Sequence, residues 1–203
     1  LTKLFTRVGR IQFMLLMLVL TGFVFVGEPF ICAWGGEEYG AAYWIALLLI
    51  APVTVPLIQN IGIEIQRAKN MHQFRSKVYF CMAIGNALVS IPLGMKFGGI
   101  GCALGTAISM VVGNGFIMNW YYQTHIGLDM RYFWKHILSI VPAMLPAVAL
   151  GIIAVRLHTF TGYAGVVTFA VPYAAVYAVG LYLFAMDESE KNMVRGVMRK
   201  IRR

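Results

Sequence analysis

Acidic side chains are scarce in this sequence. Its 203 residues hold two Asp and six Glu against 17 Lys and Arg, for a formal net charge of +9. Only three cysteines are present, Cys32, Cys81 and Cys102, with no Cys-x-x-Cys pair and no neighbouring His cluster, so zinc-ribbon and thioredoxin-like readings have no spacing to rest on. The four histidines form no His-Glu-x-x-His pattern, and neither a Gly-x-Ser-x-Gly elbow nor a Walker-type phosphate loop occurs. Hydrolase, metalloenzyme and nucleotide-driven chemistry are therefore without a motif; neither metal nor cofactor is expected, and the chain does not read as an enzyme. Long polar stretches are also missing. With 60% hydrophobic residues and a mean hydropathy of +0.74, the chain carries more apolar surface than a soluble core of this length buries.

What fills the sequence instead is a series of apolar runs, approximately 11–34, 41–65, 78–95, 100–122, 137–155 and 163–186. About 20 apolar residues in a helix cross the ~30 Å hydrocarbon core of a bilayer. The expected fold is all-α: a polytopic membrane bundle of six transmembrane helices. The basic residues are sorted between the connections. Lys3, Arg7 and Arg10 precede the first run, Arg67, Lys69, Arg75 and Lys77 follow the second, and Arg131 and Lys135 follow the fourth. Six more lie in the tail, so 15 of the 17 fall on one set of connections. The positive-inside rule then makes both termini cytoplasmic and turns the segments around Glu37, Lys96 and His158 outward. This sidedness accounts for the basic character without nucleic acid, for which charge gathers on one face with interleaved aromatics.

Short connections make sequence neighbours antiparallel neighbours in space. The organisation read from this is a four-helix part over 1–122, a two-helix hairpin over 123–186, and a basic tail over 187–203. In the tail, Asp187, Glu188 and Glu190 stand at the start and Arg199, Lys200, Arg202 and Arg203 at the end, matching a helix dipole. Met193, Val194, Val197, Met198 and Ile201 add an apolar stripe, which predicts a helix lying on the inner leaflet. The opening residue, Leu1, is not an initiator, and an N-terminally incomplete chain is expected from it. Prolines recur in the runs, where bends serve packing first and hinges second.

Polar residues inside apolar runs are the candidates for function. Asn86, Thr106, Asn114 and Asn119 need partners or a wet cavity; hydrogen bonding between helices competes with substrate contact as their role. Asn60 and Glu64 lie near the inner end of the second run, and Arg67 is in ion-pair range of Glu64 at i+3. Glu28 precedes Pro29 in the outer half of the first run and is either an ion-coupling acid or an interfacial carboxylate. Gly101, Gly105, Ser109 and Gly113 follow each other at i+4, a small-residue stripe for close helix packing.

Two segments carry a resemblance. Gly98-Gly99-Ile100-Gly101-Cys102-Ala103-Leu104-Gly105-Thr106-Ala107-Ile108-Ser109 is similar to the "G-x-x-G-a-a-x-g-T-a-i-s" signature of polysaccharide-biosynthesis flippases of the O-antigen and exopolysaccharide type. These belong to the multidrug/oligosaccharidyl-lipid/polysaccharide exporter superfamily. Gly27-Glu28-Pro29-Phe30-Ile31-Cys32-Ala33-Trp34-Gly35-Gly36-Glu37-Glu38-Tyr39 resembles that family's "G-x-x-f-i-x-l-w-x-G-x-x-Y". The resemblance spans roughly 4–122. It implies the C-terminal portion of a two-lobed carrier that moves an undecaprenyl-diphosphate-linked oligosaccharide across the cytoplasmic (inner) membrane by alternating access. Membrane lipids, and a polysaccharide polymerase or glycosyltransferases, are the implied partners. Lys96 and Arg156 sit at outward ends, so on this reading the main phosphate-binding charge lies elsewhere in the carrier. A cation-coupled multidrug exporter with Glu28 as the coupling acid, and a noncatalytic membrane scaffold, are the competing readings.

Overall fold

Helices, most of them apolar and several containing proline, make up most of the described residues. The computed structural model describes residues 1–158 and 160–201, with the side chains at 193, 194 and 197–201 outside that description. Among the described residues there is no strand. Helix α1 is Thr2–Gly35, α2 Ala42–Ile58 and α3 Asn60–Ala68. Then come α4 (72–97) and α5 (99–126), the latter π-helical at Val111–Ile117 and Tyr122–Ile126. Helix α6 is Met130–Leu138, α7 Val141–Leu157, α8 Gly162–Phe184 and α9 Glu188–Ile201.

By length and composition four helical stretches can cross a membrane: Thr2–Gly35, His72–Ile126, Met130–Leu157 and Gly162–Phe184. The pair α2 and α3, bent by 41° at its break, makes a fifth. The 55-residue stretch His72–Ile126 does not run straight. At Gly98 the backbone takes φ 61°, ψ −141°, a region open to glycine, and the chain reverses. A Cβ at Gly101 would overlap the Leu93 carbonyl, one at Gly105 would overlap Ser90, and one at Gly113 would overlap Met82. Those pairings step down α4 as they step up α5, so the two helices are antiparallel and in backbone contact. Three residues of the small-residue stripe, Gly101, Gly105 and Gly113, thus pack inside their own hairpin.

Helix α1 is central and packs against α2, α3, α6, α7 and α8. One end of the core is formed by Phe5, Ile58, Tyr122, Ile126, Phe133 and Ile137, all buried. Gly9 lets α1 approach there: a Cβ would meet the Ile58 carbonyl at 2.8 Å and the Phe133 ring at 2.6 Å. The basic connections collect at this same end, with Lys69 donating to the Ile126 carbonyl and the Asp129 amide donating to Thr2. Elsewhere the outer surface is apolar: Leu15, Leu88, Ile91, Leu145, Val171 and Leu183 are each at least 60% exposed. In water each would forfeit the ~25 cal/mol per Å² that burial supplies, whereas hydrocarbon imposes no such penalty. The chain is a membrane-embedded helical protein.

Several boundaries differ from those read along the sequence. The polar stretch 66–77 is helical except at its middle, because α3 continues to Ala68 and α4 starts at His72. Most of 123–136 is helical too, capped at Asp129, whose carboxylate accepts from the Tyr132 amide at 2.9 Å. Arg10 is the largest departure: placed ahead of the first span by charge counting, it sits within α1 and is 5% exposed. It pairs with Glu190 at 2.9 Å and donates to the His136 and Ala185 carbonyls at 3.0 and 2.7 Å. Glu190 also accepts from the Asp187 amide at 2.9 Å, satisfying one of the free N–H groups at the start of α9. The predicted apolar stripe of the tail (Met193, Val194, Val197, Met198, Ile201) and its basic end (Arg199, Lys200, Arg202, Arg203) lie outside the described side chains.

Candidate functional site

A cleft of about 480 Å³ opens between α2 and α3 on one side and the α4–α5 hairpin on the other. Its position follows from local sequence. Pro52 and Pro56 lie within α2, the chain bends by 41° where α2 gives way to α3 at Gln59, and Asn114 stands in the π-helical turn of α5 that lines the opposite wall. One wall is Val53, Pro56, Leu57, Asn60 and Ile63. The other comprises Thr106, Ser109, Met110 and Asn114 of α5 together with Arg75, Tyr79, Met82, Ala83 and Asn86 of α4.

Four of the seven polar or acidic residues singled out from sequence therefore meet: Asn60, Asn86, Thr106 and Asn114, with Ser109 of the small-residue stripe beside them. Asn86 Oδ1 accepts from Ser90 at 2.6 Å and from Thr106 at 3.4 Å, joining α4 to α5 across the hairpin. Asn114 Oδ1 accepts from the Tyr79 hydroxyl at 3.1 Å. These bonds serve both competing roles, since they tie the helices and still line the opening. Asn119, by contrast, does not line it. Its amide donates to the Asn114 and Gly115 carbonyls at 2.8 Å, and its oxygen accepts from Gln59 at 3.0 Å and Trp134 at 2.8 Å.

Glu28 and Glu64 stand apart from the cleft. Glu64 is exposed on α3 and pairs with Arg67 at 2.9 Å, both side chains 65% exposed, an ion pair contributing about 0–1 kcal/mol. Glu28 is exposed beside the α1–α2 turn, its carboxylate facing Gly40.

Comparison with known family models, curated proteins and solved structures gives no match.

Among the described residues, Arg75 is the one cation lining the cleft, and sequence reasoning missed it by assigning it to a polar connection. It stands in the first turn of α4. It donates to the Tyr122 hydroxyl at 3.2 Å and to the Tyr79 hydroxyl, and its guanidinium lies over the Tyr79 ring, 4.7 Å from the centroid. Among the described residues no carboxylate pairs with it. The signal for it was available: Arg75 and Tyr79 are i,i+4 on any helix that starts before Arg75. The cleft can thus offer a cation and phenol at one end, amides and hydroxyls along its length, and apolar walls formed by α2. Among the described residues no cluster of His, Cys, Asp and Glu with metal-holding geometry occurs.

Proposed function

We propose that the chain is part of a membrane carrier that moves a lipid-linked oligosaccharide across the cytoplasmic membrane, and that the Arg75 to Thr106 cleft is one wall of its transport cavity. The observation that carries this reading is the gathering of Arg75, Asn60, Asn86, Thr106 and Asn114 around one opening in an otherwise apolar bundle. An amphipathic substrate with an anionic linkage and a hydroxyl-rich head requires such a lining, while its tail stays in lipid. The resemblance of 98–109 and 27–39 to polysaccharide flippases names the substrate class, an undecaprenyl-diphosphate-linked oligosaccharide, and alternating access as the mode. On this reading α4 and α5, which reverse at Gly98, are separate spans, so that the chain crosses six times, and the charge bias of the connections puts both termini in the cytoplasm. Polymerases or glycosyltransferases of the same surface polysaccharide are the proposed partners. Glu28 stands outside the cleft, which favours this reading over a drug exporter coupled through that acid.

The test is genetic and chemical. Loss of the encoding gene should make lipid-linked repeat units accumulate facing the cytoplasm and deplete surface polysaccharide. Unchanged polysaccharide with no accumulation would overturn the proposal.

A further inference from the structure

Both walls of the cleft are irregular, and the Asn119 side chain hydrogen-bonds to both irregularities. On one side α2 ends and α3 begins at Gln59, with φ −103°, ψ 14° and a 41° bend. On the other, α5 is π-helical over Val111–Ile117. Gln59 is 2% exposed, and its amide donates to Asn119 Oδ1 at 3.0 Å. The Asn119 amide donates in turn to the carbonyls of Asn114 and Gly115, five and four residues earlier. Those carbonyls belong to the π-helical turn, so one side chain both supports the turn that carries Asn114 and holds the bend of the opposite wall.

The two halves of the bent pair are anchored differently: α2 is held by packing along α1 and α4, and α3 by close approach and buried side chains at its inner end. Helix α3 is rooted in the core: Gly62 lies on the Tyr122 ring, Ile65 and Gln66 are buried, and Lys69, following it, bonds to the Ile126 carbonyl. Above Gln59, α2 bears two prolines and, among the described residues, makes no side-chain hydrogen bond to α5; its one such bond to another helix is Tyr43 to the Val24 carbonyl of α1 at 2.9 Å. Bends of this kind absorb backbone rotation at a few positions while the flanking helices stay rigid.

We infer that Gln59 is the pivot of the cleft and that Asn119 is a positioning residue holding it closed, so that α2 swings away from α5 when the Gln59–Asn119 bond breaks. The inference rests on the proposed transport role only for its consequence, access to the cleft. Its test reads geometry and not flux, so its failure would leave that role standing, and failure of that role would leave the hinge.

The experiment places spin labels at Ala51 and Ile108, both exposed, in the full chain with Cys32, Cys81 and Cys102 replaced by alanine, reconstituted in bilayers. The starting chain should give one main distance. Gln59→Met, which keeps length and removes the donor, and Asn119→Ala should each add a longer component. Trp134→Phe removes a different donor to the same oxygen and should leave the distance unchanged. Unshifted distances in both Gln59→Met and Asn119→Ala, or an equal shift in Trp134→Phe, would overturn the hinge. Where a variant loses its helical fold, hydrogen exchange of the unmutated chain decides: amides around 57–62 and 111–117 should open together and faster than those of 101–107. Exchange of those two regions at unrelated rates would overturn it.

Discussion

At Arg10 the guanidinium makes four hydrogen bonds, two to Glu190 and one each to the last carbonyls available near α6 and α8. Both charges are buried, at 5% and 4% exposure, so removing one strands the other. Arg10→Met or Glu190→Met alone should therefore cost about 3–5 kcal/mol, whereas the two together should cost far less. Unfolding in mixed micelles checks this through the double-mutant cycle, and equal losses in the single and double variants would contradict it. Arg75 is the opposite case, a half-buried cation whose partners are phenols. Arg75→Gln should lower transport flux on the proposed substrate with little change in stability, measured by surface polysaccharide yield against expression level. The sequence placed both arginines in polar connections because the positive-inside rule assigns charge to loops; Arg10 is paired inside, and Arg75 starts a helix. Asn86, Thr106 and Asn114 were visible as polar residues in apolar runs, since their cost in hydrocarbon is a property of residue type.

Among the elements, the α4–α5 hairpin depends on a glycine conformation and on missing side chains. Gly98 has φ 61° and nothing within 4 Å of a built Cβ, so Gly98→Ala should destabilise through the backbone alone, by about 1–3 kcal/mol. Gly105→Val should be worse, because the new side chain meets Ser90 backbone at 2.8–2.9 Å and cannot displace it. Thermal unfolding of purified protein ranks the two, and the reverse order would contradict this account. The i+4 stripe made close packing legible. That its partner is α4 could not be read, since a stripe specifies proximity and not the neighbour. The break at Gln59 was equally hidden: prolines at 52 and 56 announce a bend, but the break lies at Gln59, whose side chain bonds to Asn119 across the bundle.

For the whole molecule, sidedness makes the sharpest prediction. Single cysteines at Glu37, Lys96 and Thr161 should react with an impermeant thiol reagent added outside intact cells, and those at Gln73, Arg131 and Glu188 only after permeabilisation. Labelling of both sets from one side would contradict six crossings. Sequence alone determined the class of the protein and its helical character, because hydropathy acts on each segment separately when it meets a bilayer. Tertiary structure decided the rest. It buried Arg10 against Glu190, brought Asn60 to Asn86, Thr106 and Asn114, put Arg75 at their end and left Glu28 and Glu64 outside. Those outcomes turn on which helix faces meet, and that is set by backbone approach at glycines and by bends at Gln59 and Gly98, long-range contacts that no single segment encodes.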